Sequence, residues 1–190
     1  NVRKFAEDGY SKEEIAKLYE EIYGNYGEKI ELAYKVYLNE KDFISQKGDK
    51  GISVYIGIPF CPTRCLYCSF VSTDMRYSSK YVDDFCKKLA EEIRLTARII
   101  KNTGVYIKNI YIGGGTPTAL DAQNLEKVLE CVKKNFRLKN LKEYTLEAGR
   151  ADTITREKLE IAKKYGVNRI SINPQTMHNK TLAAMNRNTT

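Results

Sequence analysis

Three cysteines, Cys61, Cys65 and Cys68, fall within eight residues of the segment GIPFCPTRCLYCSF. Thiolates that are spaced Cys-x3-Cys-x2-Cys in one loop can converge on a single metal centre. Structural zinc takes four ligands, usually from paired Cys-x2–4-Cys units, so a zinc site here would need His178 or a distant thiol as its fourth ligand. A [4Fe–4S] cluster that is held by three cysteines would instead leave one iron open to a substrate or cofactor.

The remaining cysteines differ from this triplet in their surroundings. Residues 62–64 and Tyr67 give the triplet no apolar periodicity, which argues against simple burial of its thiols. Cys86 and Cys131 instead lie among apolar residues at helical spacing, so we interpret both as small buried hydrophobic residues. The chain shows no secretory leader, and five cysteines without one argue against a disulfide framework.

The elements that must position the triplet alternate between strand and helix from residue 51 onward. The pattern predicts strands at 52–58, 105–113, 143–148 and 169–173, and helices at 79–101, 121–136 and 155–166, with a further helix after the last strand. Strand and helix alternating at this spacing indicate right-handed crossover units on a parallel sheet. Four such units make either half of a barrel or a small open α/β sheet.

Each predicted strand is followed by residues of unusual type. These are the cysteine loop, Gly113-Gly114-Gly115 in the stretch GGGTPT, Glu147 and Gln175. Taken singly, three glycines are most often a tight turn and a carboxylate at a strand end is most often solvated. Because ligands bind at the carboxyl ends of parallel strands, four such loops at one rim indicate a single site.

The first 48 residues have a helical pattern and carry no candidate chemistry. A capping box at residues 11–14 precedes one helix, and a second is predicted at 30–38. Residues 45–51 are typical of a linker. We therefore expect two regions, residues 1–50 and residues 51–190. Because the chain begins with Asn1 and stops just after a helical segment, we expect it to be a fragment of a longer protein.

Composition excludes several classes of protein. The chain is 42% hydrophobic and 29% charged, an ordinary globular balance. Its net charge of +8 comes from lysines that are interspersed with glutamates, which is typical of solvated helix faces, and no nucleic-acid-binding motif accompanies it. The sequence shows no apolar run of membrane-spanning length. We expect a cytoplasmic protein without a nucleic-acid partner.

The stretch CPTRCLYC resembles the CxxxCxxC signature of radical S-adenosylmethionine (SAM) enzymes, with Tyr67 as the aromatic residue before the last cysteine. The resemblance covers residues 51–190 and implies a partial (βα) barrel of about four βα units. It also implies that Cys61, Cys65 and Cys68 hold a [4Fe–4S] cluster whose open iron binds SAM. Reduction of the cluster, by a reduced flavodoxin- or ferredoxin-type donor, then cleaves SAM to a 5′-deoxyadenosyl radical.

Two further stretches, YIGIPFC and NRISINPQTM, are similar to the oxygen-independent coproporphyrinogen III oxidase group. INPQTM is most similar to the HemZ-type branch, which carries an extra N-terminal domain. Residues 1–48 would then be the tail of that domain. The resemblance assigns one SAM molecule to Tyr55, Gly114 and Glu147. A second SAM can be bound in this group, and it is assigned to Tyr67, Gly115, Thr116, Gln175 and Arg187.

The chain also departs from the oxidases proper. They resemble CxxxCxxCxC, whereas Phe70 occupies the fourth cysteine position here, a form shared with relatives similar to heme chaperones. The segment AGRAD after Glu147 lacks the usual proline. The resemblance therefore implies oxidative decarboxylation of coproporphyrinogen III in heme biosynthesis, or alternatively heme binding without oxidase activity. We interpret His178, the single histidine, as an exposed residue and not a ligand.

Overall fold

A computed structural model describes residues 2–24, 27–41 and 49–187 of the chain. The chain divides into two compact units, Asn1–Asp49 and Lys50–Thr190. Most of the predicted linker at 45–51 lies outside the described residues, as do residues 188–190. The assignment of the first unit to the tail of a larger domain therefore stays a prediction.

The described residues of the first unit form three helices, α1 (Val2–Glu7), α2 (Lys12–Tyr23) and α3 (Glu28–Glu40). The predicted capping box at the start of α2 is confirmed. Ser11 Oγ accepts a hydrogen bond from the Glu14 backbone N–H at 3.2 Å, and the Glu14 carboxylate accepts one from the Ser11 N–H at 2.7 Å. Ile15 and Ile30 are buried, so each of the two longer helices turns an apolar residue inward.

The described residues of the second unit form a four-stranded, wholly parallel sheet, whose strands lie in the spatial order 51–58, 106–114, 143–148 and 169–172. Its strands are β1 (Gly51–Ile58), β2 (Phe60–Cys61), β3 (Thr73–Asp74), β4 (Tyr106–Gly114), β5 (Glu143–Ala148) and β6 (Arg169–Ile172), and its helices are α4 (Met75–Ser78), α5 (Val82–Thr103), α6 (Ala122–Asn135), α7 (Arg156–Lys164) and α8 (Asn179–Ala184). The predicted α/β class, a partial barrel of parallel βα units, is confirmed.

Helices cover one face of this sheet and form the core with it. The buried residues of the sheet include Ile58, Ile110, Ile112, Tyr144 and Leu146, and those of the helices include Leu89, Ile93, Leu125 and Leu129. Side chains alternate across a strand, so the opposite face carries the other set. There Ser53 and Tyr55 of β1 lie beside Asn109 and Tyr111 of β4. The second unit thus has an apolar face against its helices and a largely polar one.

Several boundaries differ from the predicted ones for local reasons. The loop after β1 contains the short parallel pair β2 and β3, and Asp74 then caps α4 by accepting from the Arg76 N–H at 2.9 Å. A 3-10 turn at Ser79–Tyr81 delays α5, which begins three residues later than predicted. The Asp121 cap is confirmed, with its carboxylate accepting from the Asn124 N–H at 2.8 Å. The helix after the last strand begins only at Asn179.

Within the part of the chain that the structure describes, no helix combines the length and the apolar composition that a bilayer crossing requires.

Candidate metal centre and cofactor site

The three clustered cysteines lie just beyond the carboxyl end of β1, as the sequence predicted. Cys61 is the last residue of β2, and Cys65 and Cys68 lie in the loop between β2 and β3. All three thiols are free and partly accessible. Cys86 and Cys131 are free but buried, on α5 and α6, which confirms their interpretation as core residues. The triplet is therefore the accessible set of thiols in this chain.

Two thiols of the triplet lie beside a hydroxyl group. Cys61 Sγ lies 3.5 Å from Thr116 Oγ1, and Cys68 Sγ lies 3.8 Å from Ser72 Oγ. Burial raises the pKa of the Cys61 thiol, and the hydrogen bonds of Thr116 and Ser72 oppose that rise. Hydrogen bonds to sulfur are among the features that tune iron–sulfur clusters.

The cysteine loop is held from the far end of the chain. The Leu66 N–H donates to the Met185 carbonyl at 3.3 Å, and Asn186 Nδ2 donates to the Arg64 carbonyl at 2.8 Å. Thr63 Oγ1 donates in turn to the Asn186 carbonyl at 3.2 Å. The turn after α8 therefore fixes the loop that carries the cysteines.

The donor set fits a three-cysteine cluster. Across residues 2–24, 27–41 and 49–187, no three histidine, cysteine or acidic side chains are grouped to hold one metal ion. The three thiolates of a [4Fe–4S] cube need no such grouping, because they bind three separate irons and not one ion. Three partly accessible thiols in one loop, with a sulfur–hydroxyl contact at two of them, suit the cube. His178 is exposed at the start of α8.

The glycine-rich segment packs directly against the cysteine loop. The Gly115 N–H donates to the Ile58 carbonyl and the Thr116 N–H to the Phe60 carbonyl, both at 2.8 Å. A Cβ on Gly115 would lie 2.8 Å from Phe60 O and 3.0 Å from Cys61 Sγ. A Cβ on Gly114, whose φ is +115°, would lie 2.8 Å from Ile58 O. The glycines therefore have a packing role beside the predicted contact with a ligand.

Glu147 lies near the end of β5, on the polar face of the sheet. Asn173 Nδ2 donates to Glu147 Oε1 at 3.5 Å. Burial raises the pKa of the Glu147 carboxyl, while hydrogen bonds from the Gly114 N–H, Tyr111 and Asn173 oppose the rise. A half-buried carboxylate of this kind gains from a cationic partner.

An aromatic pair extends this part of the site. The Tyr55 and Tyr111 rings stack with centroids 5.9 Å apart and an interplanar angle of 8°. Tyr111 also lies against Gly113, where an added Cβ would clash with the Tyr111 ring. Sequence reasoning did not single out Tyr111. Strand alternation could have, because it places Tyr111 on the face of Gly113 and opposite Tyr55 in the ladder.

The remaining predicted SAM contacts fall into an exposed group and a buried group. Tyr67 and Gln175 are exposed, and Gln175 has a left-handed backbone with φ of 65°. Thr116 is buried and donates to the Gly115 carbonyl at 2.7 Å. Arg187 is also buried, and its guanidinium donates to the backbone carbonyls of Gly149 and, at 3.2 Å, Asn173.

One atom of Arg187 is left without a hydrogen bond. Its Nε is buried and has no partner among the described residues. A buried donor of this kind costs about 1–3 kcal/mol if nothing accepts from it. The orphaned Nε therefore suits a site that receives an acceptor group from a ligand.

Arg150 is the main site residue that sequence reasoning missed. Its side chain is only 2% exposed, and it reaches from the loop after β5 to the cysteine loop. It donates to the Thr63 carbonyl at 3.2 Å and to Cys65 Sγ at 3.7 Å, and it pairs with Asp152 at 3.0 Å. The sequence of its segment, AGRAD, indicated only that the usual proline is missing there.

Residues 55–190 match the Radical SAM superfamily, so the chain belongs to that family. The predicted resemblance is confirmed, and membership implies a [4Fe–4S] cluster and SAM as cofactors.

Several individual proteins are similar to the chain. It is 38% identical to the oxygen-independent coproporphyrinogen-III oxidase-like protein HemZ of Bacillus subtilis (strain 168), over 100% of this chain and 38% of that protein. It is 36% identical to the heme chaperone HemW of Lactococcus lactis subsp. lactis (strain IL1403), over 71% of this chain and 33% of that protein. Among solved structures it is similar to coproporphyrinogen III oxidase (HemN) from Escherichia coli, described as a radical SAM enzyme. That match has a TM-score of 0.64 and 25% identity, and it covers 75% of this chain and 32% of HemN.

The chain therefore spans well under half the length of the relatives that it matches.

Proposed function

We propose that this chain forms the cluster- and SAM-binding half of a radical SAM enzyme that converts coproporphyrinogen III to protoporphyrinogen IX. The observation that carries the proposal is the contact between the cysteine loop and the glycine-rich segment, at Cys61 and Thr116. This contact puts the candidate cluster ligands beside the backbone that would receive SAM. The similarity to HemZ and HemN supports the choice of substrate.

In this proposal Cys61, Cys65 and Cys68 hold the cluster. When bound, the cluster and SAM would supply the one-electron reduction and the hydrogen-atom abstraction that the protein's own side chains cannot perform. The first SAM would contact Tyr55, Gly114 and Glu147. The half-buried Glu147 carboxylate supports this assignment because it would attract the amino group of SAM.

A second SAM would contact the other assigned residues, Tyr67, Gly115, Thr116, Gln175 and Arg187. The orphaned Nε of Arg187 supports its place in this set, since a ligand carboxylate could accept from it. Thr116 would line this site without donating to the ligand, because its N–H donates to the Phe60 carbonyl and its buried hydroxyl donates to the Gly115 carbonyl.

The substrate change is an oxidation of two propionate side chains. Each propionate would lose one hydrogen atom and one electron and release CO2, which leaves a vinyl group. When bound, SAM would supply the group that takes up each hydrogen atom, and an external one-electron acceptor would take each electron. A reduced flavodoxin- or ferredoxin-type protein would supply the electron that each cleavage of SAM consumes, in the cytoplasm.

The test uses the complete protein that contains this chain, reconstituted without oxygen with iron and sulfide. We expect iron and sulfide in the protein, 5′-deoxyadenosine on reduction with SAM, and conversion of coproporphyrinogen III. Replacing Cys61, Cys65 and Cys68 together by alanine should abolish all three. The buried Cys131→Ala variant is the matched control and should keep them. A triple variant that retained its iron and its SAM cleavage would refute the cluster assignment.

Heme binding without oxidase activity is the second candidate, and Phe70 favours it. Phe70 is 62% exposed beside Cys68, where a large apolar side chain suits contact with a porphyrin face. The similarity to the heme chaperone HemW supports it as well. Heme titration of the complete protein should be run beside the porphyrinogen assay. Stoichiometric heme retention without turnover, weakened by Phe70→Ala but not by the exposed Leu95→Ala on α5, would favour this candidate over the oxidase.

A further inference from the structure

Arg150 connects two segments that are distant in sequence. It follows β5, and its guanidinium donates to both the carbonyl and the hydroxyl of Thr63, at 3.2 and 3.1 Å. The same nitrogen lies 3.7 Å from Cys65 Sγ. The backbone of Arg150 is held too, since Thr153 Oγ1 donates to its carbonyl at 2.7 Å. The side chain thus reaches the cysteine loop from a fixed base.

The charge balance around this contact is asymmetric. Asp152 accepts from Arg150 Nε and Nη2, at 3.2 and 3.0 Å, while Nη1 faces Thr63 and Cys65. The positive end of the pair is therefore turned toward the sulfur. The Asp152 side chain is 28% exposed, so solvent screens it more than it screens the buried guanidinium. Arg64 and Arg187 also lie near the loop, and both donate to backbone carbonyls.

We propose that Arg150 is a positioning residue that fixes the Cys65 loop and makes the bound cluster easier to reduce. The inference rests on the proposed function, because it needs a cluster on Cys65. Reduction adds one electron and one negative charge to the cluster, and a buried cation beside a ligand sulfur stabilises that charge. Removing Arg150 should lower the cluster's reduction potential, and neutralising Asp152 should raise it.

The test is an anaerobic redox titration of the reconstituted complete protein, followed by the signal of the reduced cluster in electron paramagnetic resonance. For Arg150→Gln we expect the equilibrium between reduced and oxidised cluster to shift about tenfold toward the oxidised form, which is about 59 mV for one electron. Asp152→Asn should shift it in the opposite direction. Arg156→Gln, which removes a solvent-exposed arginine on α7, is the matched control and should leave the potential unchanged.

A second readout covers the case in which Arg150→Gln fails to assemble a cluster. Arg150→Lys keeps the charge but cannot make the same fork of hydrogen bonds. We expect it to hold iron and sulfide at a potential close to wild type, with faster hydrogen exchange at Leu66 in the cluster-free protein. Arg150→Gln should show the same loss of protection at Leu66.

The possible results distinguish a failure of the Arg150 role from a failure of the proposed function on which it rests. A wild-type protein that assembles no cluster contradicts the proposed function and this inference together. A cluster that forms normally, with Arg150→Gln and Asp152→Asn both at the wild-type potential, contradicts only the role of Arg150. If Arg150→Gln and Arg150→Lys both lose the cluster, the Asp152→Asn potential decides, and an unchanged value overturns the inference.

Discussion

Cys61 and Thr116 lie in contact, with 3.5 Å between Sγ and Oγ1, although 55 residues separate them in the chain. The contact joins the loop after β1 to the segment after β4. These two strands are neighbours in the sheet and run parallel, so their carboxyl ends meet at one rim. A candidate cluster ligand and the glycine-rich backbone therefore lie side by side.

Gly115→Ala tests how tightly the two segments are packed. The new Cβ would lie 2.8 Å from Phe60 O and 3.0 Å from Cys61 Sγ, so the cysteine loop must move. We expect unfolding in urea to show a loss of about 1–3 kcal/mol, as for other overpacked sites. Reconstituted iron content should fall as well.

The control for that change is Gly57→Ala in β1, where a Cβ would make only an ordinary 3.5 Å contact with Tyr55. Its free energy of unfolding should stay within about 0.5 kcal/mol of wild type. Equal losses in the two variants would show that the crowding at Gly115 is unimportant.

Glu147→Gln should change stability in a pH-dependent way. Burial raises the pKa of the Glu147 carboxyl above its unfolded value, so the folded state disfavours the charged form. The favourable contribution of the Glu147 carboxyl to the free energy of unfolding is present at acidic pH, and it is lost as the pH rises through the folded pKa. The glutamine variant should therefore be more stable than wild type at neutral pH, and the difference should disappear in acid. Urea unfolding across pH 4–8 measures it.

Glu126→Gln on α6 is the control of opposite sign. Lys164 and Tyr165 lower the pKa of the Glu126 carboxyl, so its contribution is present at neutral pH and is lost as the pH falls. We expect this variant to be less stable than wild type at neutral pH. The same direction of change in both glutamine variants would contradict the assignment of a desolvated carboxylate at Glu147. Only Glu147→Gln should also weaken SAM binding.

Arg187→Ala should destabilise the rim. The guanidinium satisfies the carbonyls of Gly149 and Asn173, and the Gly149 residue is buried. Leaving a buried carbonyl without a donor costs about 1–3 kcal/mol, and we expect a loss of that size in urea unfolding. Arg156→Ala, at a 92% exposed side chain, should stay within about 0.5 kcal/mol of wild type. If the Arg187→Ala protein were as stable as wild type, the hydrogen bonds of the guanidinium to these two carbonyls would not stabilise the fold.

Asp121→Ala should remove the cap of α6. The Asp121 carboxylate accepts from the Asn124 backbone at 2.8 Å and from its side chain at 2.9 Å. Loss of an N-cap of this type costs about 0.5–2 kcal/mol. Asp121→Asn keeps a capping oxygen and should lose less. Burial by itself would raise the pKa of Asp121, but the hydrogen bonds from Asn124 together with the charge of Lys127 and the Gln123 N–H outweigh it, and the pKa is lowered.

The lowered pKa of Asp121 adds a pH dependence that checks the cap independently. Stability from this carboxylate is present above its unfolded pKa and is lost as the pH falls through the folded one. The difference between wild type and Asp121→Ala should therefore shrink in acid. A constant difference from pH 7 to pH 3 would argue against a charged cap.

Local patterns in the sequence determined much of the architecture. The strands at β1, β4 and β5 were predicted to within a residue or two, because apolar, β-branched runs between turn signals have few other structures available. The resemblance of CPTRCLYC to a known signature indicated the family, and three thiols in one loop must lie close together whatever surrounds them. The caps at Ser11 and Asp121 also depend only on neighbours three residues away.

Tertiary structure alone decided which distant residues complete the site. Arg150 approaches Cys65 across 85 positions, and Asn186 binds the cysteine loop across 122, so no local pattern could reveal either contact. Arg187 stands in the assigned set of SAM contacts, but the sequence could not show that its guanidinium is buried among backbone carbonyls. Spacing determines which groups can meet within one loop, whereas the order and register of parallel strands determine which loops meet one another.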